Sequence, residues 1–230
     1  MVLISRGVLP AFVPVDALWV VGVIGPICAA ILVAYAEAGA PGVRGLLSRL
    51  LLWRVGARWY LVAILARALP MLVAAAVSGA VLPFTFRPWV WLTSALLFLG
   101  GAVCEETGWR GWALPALQKR FSPWVASVAL GIIWAAWHLP QFLTVGDEHA
   151  NRSFSLFLIN MVAFTILMTW VNNRTNGSIL MAVIFHGIGF NLALTVIPFD
   201  PYHPVVMGLA WAMALAVIVT ETRTPRRATT

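Results

Sequence analysis

The chain has 230 residues, of which 61% are hydrophobic and only 10% charged, against roughly 45–50% apolar and about 25% charged in soluble domains. That balance excludes a soluble globular domain and leaves an integral membrane protein, with room for six to eight spans at about 20 residues each. The net charge of +7 is divided between connections in the alternating way that marks membrane topology, so no nucleic-acid partner is expected.

In chain order, seven apolar runs stand out: Ala17 to Ala36, Tyr60 to Leu82, Trp89 to Cys104, Pro123 to Leu143, Phe154 to Val171, Ser178 to Ile197 and Val205 to Thr220. In lipid each must be helical, because unsatisfied backbone groups find no water there. Between the first and second runs, Val43 to Trp59 sets Arg44, Arg49, Arg54 and Arg58 among Leu and Trp, which predicts a basic helix lying on the membrane surface. Gly39 to Gly42, Pro83 to Pro88, Gly146 to Arg152, Asn172 to Gly177 and Pro198 to Pro204 carry the connections. The expected fold class is all-α: a polytopic transmembrane helix bundle of about seven spans plus the surface helix, forming one membrane domain over residues 1–230.

Ala34-Tyr35-Ala36 and Ala36-Glu37-Ala38 look like signal-peptidase sites, but the run before them is longer than the 7–15 residues usual for a signal peptide. The first run is therefore expected to remain as an uncleaved span. With the N-terminus outside, one side receives Arg44, Arg49, Arg54, Arg58, Arg110, Lys119, Arg120, Arg174, Arg223, Arg226 and Arg227. The other keeps Arg6, Arg87 and Arg152, together with Asp147, Glu148 and Asp200. This alternation follows the positive-inside rule. It predicts a multi-pass protein of the cell membrane with a cytoplasmic C-terminus, whose basic face meets anionic lipid headgroups.

Glu105 and Glu106 close the third run in the text Glu105-Glu106-Thr107-Gly108-Trp109-Arg110. Ionisable groups within a bilayer are costly and usually functional. On a helix Glu106 and Arg110 share a face and can pair, while Glu105 points about 100° away. The pair alone reads equally well as a structural lock; an unpaired carboxylate in an apolar setting is suited to acid–base work. His138 ends Trp134-Ala135-Ala136-Trp137-His138, and His186 opens His186-Gly187-Ile188-Gly189-Phe190-Asn191. One such histidine reads as a hydrogen-bonded core residue; two on separate spans beside a carboxylate pair read as chemistry. Asn160 and Asn191 are candidates for bonds between helices. Cys28 and Cys104 lie inside apolar runs, which implies no disulfide framework. Cys104 beside Glu105 reads as a small core thiol rather than a nucleophile.

Glu-Glu-x-x-x-Arg at 105 to 110, aromatic-x-x-x-His at 134 to 138 and a later His with a nearby Asn, within "EETGWRGWALPALQKRF" and "IIWAAWHLP", resemble the CPBP (ABI) family of CAAX prenyl endopeptidases and bacteriocin-processing or self-immunity proteins. The resemblance covers about Leu96 to Asn191. It implies an intramembrane endopeptidase acting on membrane-associated peptides or proteins, in which Glu105 and His138 activate a water. Glu106 and Arg110 would orient the site as an ion pair, and His186 and Asn191 would stabilise the oxyanion. The family spaces that His and Asn by four residues, whereas here Asn191 is five beyond His186 and Phe190 takes the matching position. Gly187 and Gly189 would permit a local bulge that brings Asn191 back.

Depth sets a further condition. If the third helix stopped at Cys104, Glu105 would lie near the inner surface, while His138 sits about 15 residues, or roughly 22 Å, up the fourth. The third helix is therefore expected to start near Thr93 and run past Arg110 toward Pro115, beside a water-filled cavity open to the cytoplasm. No cofactor is expected, since a His-Glu-x-x-His helix is missing; the alternative is zinc held by Glu105, His138 and His186. The alternative in function is a non-catalytic transporter, immunity protein or scaffold that keeps its buried polar cluster for folding.

Overall fold

A computed structural model describes residues 15–81, 87–144, 147 and 149–223; Arg6, Glu148, Arg226 and Arg227, used in the charge reading above, lie outside them. The described residues form helices joined by short connections: α1 (Val15–Ser48), α2 (Ala57–Val77), α3 (Pro88–Gly108), α4 (Leu114–Gln118), α5 (Pro123–Trp137), α6 (Leu139–Phe142), α7 (Phe154–Arg174), α8 (Ile179–Ile184), α9 (Ala193–Val196) and α10 (Pro204–Arg223). A π turn, Trp109–Ala113, joins α3 to α4, and a π-helix, Phe185–Leu192, joins α8 to α9. Six stretches are long and apolar enough to cross a bilayer: Gly22–Leu51, Ala57–Val77, Pro88–Gln118, Phe154–Arg174, Ile179–Val196 and Pro204–Arg223. The protein is a multi-pass membrane protein with an all-helical bundle fold.

Two elements differ from the sequence reading. The fourth apolar run does not form one helix: α5 has 15 residues, about 22 Å at 1.5 Å per residue, short of a roughly 30 Å core. It stops at His138 because Pro140 supplies no N–H for the Ala136 carbonyl and its ring crowds that carbonyl. The basic surface helix over Val43–Trp59 is also replaced. Val43 to Ser48 continue α1 beyond a kink at Ala38 and Gly39, where Gly39 adopts φ +62°. Arg49–Leu51 make a 3-10 turn, and a new helix starts at Ala57. The cause is Arg49, which turns inward: Nε donates to the Gly177 carbonyl (2.8 Å), Nη1 to Gly111 (2.7 Å) and Nη2 to Arg110 (3.1 Å). Three carbonyls bind this guanidinium more specifically than a headgroup layer can.

The two ends of the bundle are told apart by contacts between connections. At one end Arg49 meets Gly177, Ser178 Oγ donates to the Leu52 carbonyl (2.7 Å), and Glu221 accepts from Trp170 and Arg174. At the other, Phe142 packs on Phe154 with centroids 5.2 Å apart, and the Arg152 guanidinium stands over Tyr202. The chain thus passes alternately through the bundle. α7 lies at its centre, with every residue from Asn160 to Thr169 buried.

Close approach of backbones relies on missing side chains, as in membrane bundles generally. A Cβ on Gly108 would strike the Pro26 backbone of α1 at 2.7 Å, and one on Gly189 would collide with the Ala63 carbonyl of α2. These two glycines seat the site-bearing helices against their neighbours.

Candidate active site

The third span, Pro88–Gln118, continues past Arg110 as expected and begins somewhat earlier. Glu105 is therefore 13 residues, about 20 Å, from the Gln118 end, and Trp134 is 11 residues, about 16 Å, from the start of α5. The carboxylates and the His138 helix reach the same depth.

There the helical rotation separates the two adjacent glutamates. Glu106 is 0% exposed, and its Oε1 accepts from Arg110 Nη1 at 3.0 Å and from His186 Nδ1 at 3.0 Å. Arg110, likewise 0% exposed, also reaches Thr165 Oγ1 at 3.4 Å. The expected pair is present and is enlarged to a buried Arg–Glu–His chain. Glu105, partly exposed, accepts from the indole Nε1 of Trp134 at 2.9 Å.

Trp134 is the hub of the site and is itself 1% exposed. Its ring carries the Arg110 guanidinium at 4.2 Å and meets the His186 ring edge-to-face at 5.0 Å. Its carbonyl lies 2.8 Å from His138 Nδ1. One residue thus touches Glu105, Arg110, His138 and His186. In the sequence Trp134 is the aromatic of the aromatic-x-x-x-His motif, four residues before His138 on the same helical face, but nothing there assigns it a role of its own. Thr165 and Arg49 were missed for want of any local motif.

Hydrogen-bond chemistry assigns the protons. A carbonyl only accepts, so His138 Nδ1 carries the hydrogen and a neutral imidazole leaves the Nε2 lone pair free. His186 Nδ1 donates to the Glu106 carboxylate; for Nε2 to donate as well, His186 must be an imidazolium.

The His-Asn spacing is answered by the backbone. The stretch Phe185–Leu192 is π-helical, with the Ala193 N–H bonding to the Ile188 carbonyl. In such a helix bonds run between residues five apart, which returns Asn191 toward the face of His186. Asn191 is partly exposed and, among the described residues, its side chain makes no hydrogen bond.

Among the described residues no three His, Cys, Asp or Glu side chains converge closely enough to hold a metal ion. Two surface cavities, one lined by Trp170, Arg174 and Glu221 and one by Glu37, Arg49 and Trp112, lie away from Glu105 and His138.

Residues 87–193 match the model of the family described as type II CAAX prenyl endopeptidase Rce1-like. This segment, which holds all six motif residues from Glu105 to Asn191, is what the chain shares with the CAAX prenyl endopeptidase family, to which it is similar. The chain is similar to a protein of Methanococcus maripaludis named CAAX prenyl protease 2, with 33% identity over 131 residues that cover 54% of this chain and 48% of the relative. It thus spans about half the length of the curated relative it matches.

Proposed function

We propose that the protein is an intramembrane endopeptidase that hydrolyses a peptide bond of a membrane-associated substrate with a water activated by Glu105 and His138. The observation that carries this reading is the attachment of Glu105, His186 and Arg110 to the side chain of Trp134, and of His138 to the carbonyl of the same residue. The family match and the name of the archaeal relative support a prenylated Cys-a-a-X protein as the substrate class.

In this mechanism the two O–H bonds of a water point at His138 Nε2 and at the Glu105 oxygen not held by Trp134, and Glu105 takes one proton as the water oxygen adds to the scissile carbonyl. The oxyanion so formed takes donors from His186 Nε2–H and the Asn191 amide, each such donor typically worth a few kcal/mol. The proton then passes to the leaving amine as the C–N bond breaks. Arg110 and Glu106 hold His186 charged and oriented, and Trp134 fixes the His138 tautomer. Catalysis proceeds without a metal ion. The N-terminus lies outside the cell membrane and the C-terminus in the cytoplasm, a placement supported by the distribution of Arg and Lys between the two ends.

The test is cleavage of a prenylated Cys-a-a-X peptide by purified protein in lipid. Wild type is expected to release the carboxyl-terminal fragment and Glu105→Ala to release none. Undiminished cleavage by Glu105→Ala removes the reading.

A further inference from the structure

Arg67, in the middle of α2, is 1% exposed, and its Nε and Nη1 are buried with no hydrogen-bond partner. Among the described residues the titratable groups acting on it are the Tyr202 phenol and the Arg152 guanidinium, with no carboxylate. Its guanidinium stacks on Phe190 at 3.8 Å and lies 5.0 Å from the Phe164 ring. Aromatic faces attract a desolvated cation, but they leave its N–H donors unsatisfied and its charge unneutralised. A buried cation of this kind in a bilayer ordinarily has a partner.

The location indicates which anion belongs there. Phe190 joins Arg67 to the catalytic cluster, being 3.8 Å from the guanidinium and 6.2 Å from the His186 ring, so the two ends are at most ~10 Å apart. An extended peptide advances ~3.3–3.6 Å per residue, so two or three residues span that gap. An Arg fork fits a carboxylate in two parallel hydrogen bonds. We infer that Arg67 is the anchor for the free carboxyl terminus of the substrate, bound two or three residues beyond the scissile bond. The inference rests on the peptidase reading and adds to it the residue that reads the end of the Cys-a-a-X chain.

Two measurements test it separately from that reading. The first compares wild-type kcat/KM for an S-farnesylated peptide ending in a free carboxylate with that for its carboxyl-terminal amide. The acid is expected to be favoured at least about tenfold, because the amide leaves the buried guanidinium unpaired. Arg67→Gln should erase the preference and Arg67→Lys should restore part of it. The second needs no turnover. In the Glu105→Gln protein, the tripeptide Val-Ile-Met as acid should raise the unfolding temperature, whereas its amide and inorganic phosphate should not. Equal rates for acid and amide in wild type, or equal thermal shifts for the three probes, overturn the carboxylate anchor even if Glu105-dependent cleavage stands. Acid-selective stabilisation without any cleavage would retain the anchor and remove the peptidase.

Discussion

At the scale of single residues, Glu105 and Glu106 are adjacent in sequence and divided in role by a 100° turn of helix. Glu106 is sealed between Arg110 and His186, while Glu105 faces Trp134 and keeps some exposure. Substitutions should separate the two. Arg110→Ala strands a buried carboxylate and should cost about 3–5 kcal/mol, seen as a lower yield of folded protein and a lower unfolding temperature; a full yield would remove the lock. Glu105→Ala and His138→Ala should each abolish cleavage while leaving yield nearer to wild type. The double variant should lose little more, because groups that act as a unit are not additive. Additive losses in single-turnover assays would assign the two residues to separate steps. Incubation with a chelator should leave the rate unchanged; inactivation that added zinc reverses would turn Glu105, His138 and His186 into ligands.

At the scale of elements, both π segments among the described residues carry a site residue, Arg110 in one and His186 in the other. π segments are rare and concentrate at functional sites. In the second, the extra residue per turn brings Asn191 round, and Gly189 lets α2 approach. Gly189→Ala should therefore drive a methyl group into the Ala63 carbonyl, with a loss of about 1–3 kcal/mol measurable as a lower unfolding temperature. Asn191→Ala should lower kcat and spare stability; an unchanged kcat would take Asn191 out of the site. The helices themselves were legible, because hydropathy over 18 or more residues is a strong signal. The nearness of Glu105, Glu106, Arg110, His138 and His186 to one another also followed from the motifs, and the demand for equal depth correctly lengthened the third helix. What a linear reading could not contain is partnership at long range. Arg49 reads as a headgroup ligand until Gly111 and Gly177 arrive from 62 and 128 residues away. Arg67 is one charge inside an apolar run, and Trp134 is one aromatic among twelve tryptophans.

For the whole molecule, the contacts between connections divide Asp147 and Lys119 between opposite ends of the bundle, given the alternate passage of the chain. Cysteines placed at those two positions in intact cells should label from opposite sides, Asp147→Cys from outside. Labelling of both from one side would defeat the proposed orientation. Arg49 carries a consequence of another kind. It belongs to the part of the chain that precedes the family match, yet it holds the carbonyls of Arg110 and Gly111 at the turn where the α-helical pattern lapses. Ala63 and Arg67 come from that same upstream part. The matched segment is therefore not autonomous: a gene trimmed to residues 87–230 would encode every motif residue and still yield no enzyme. Expressed beside residues 1–86 as a separate polypeptide, it should regain both accumulation and cleavage, the two pieces reassembling in the bilayer around one guanidinium.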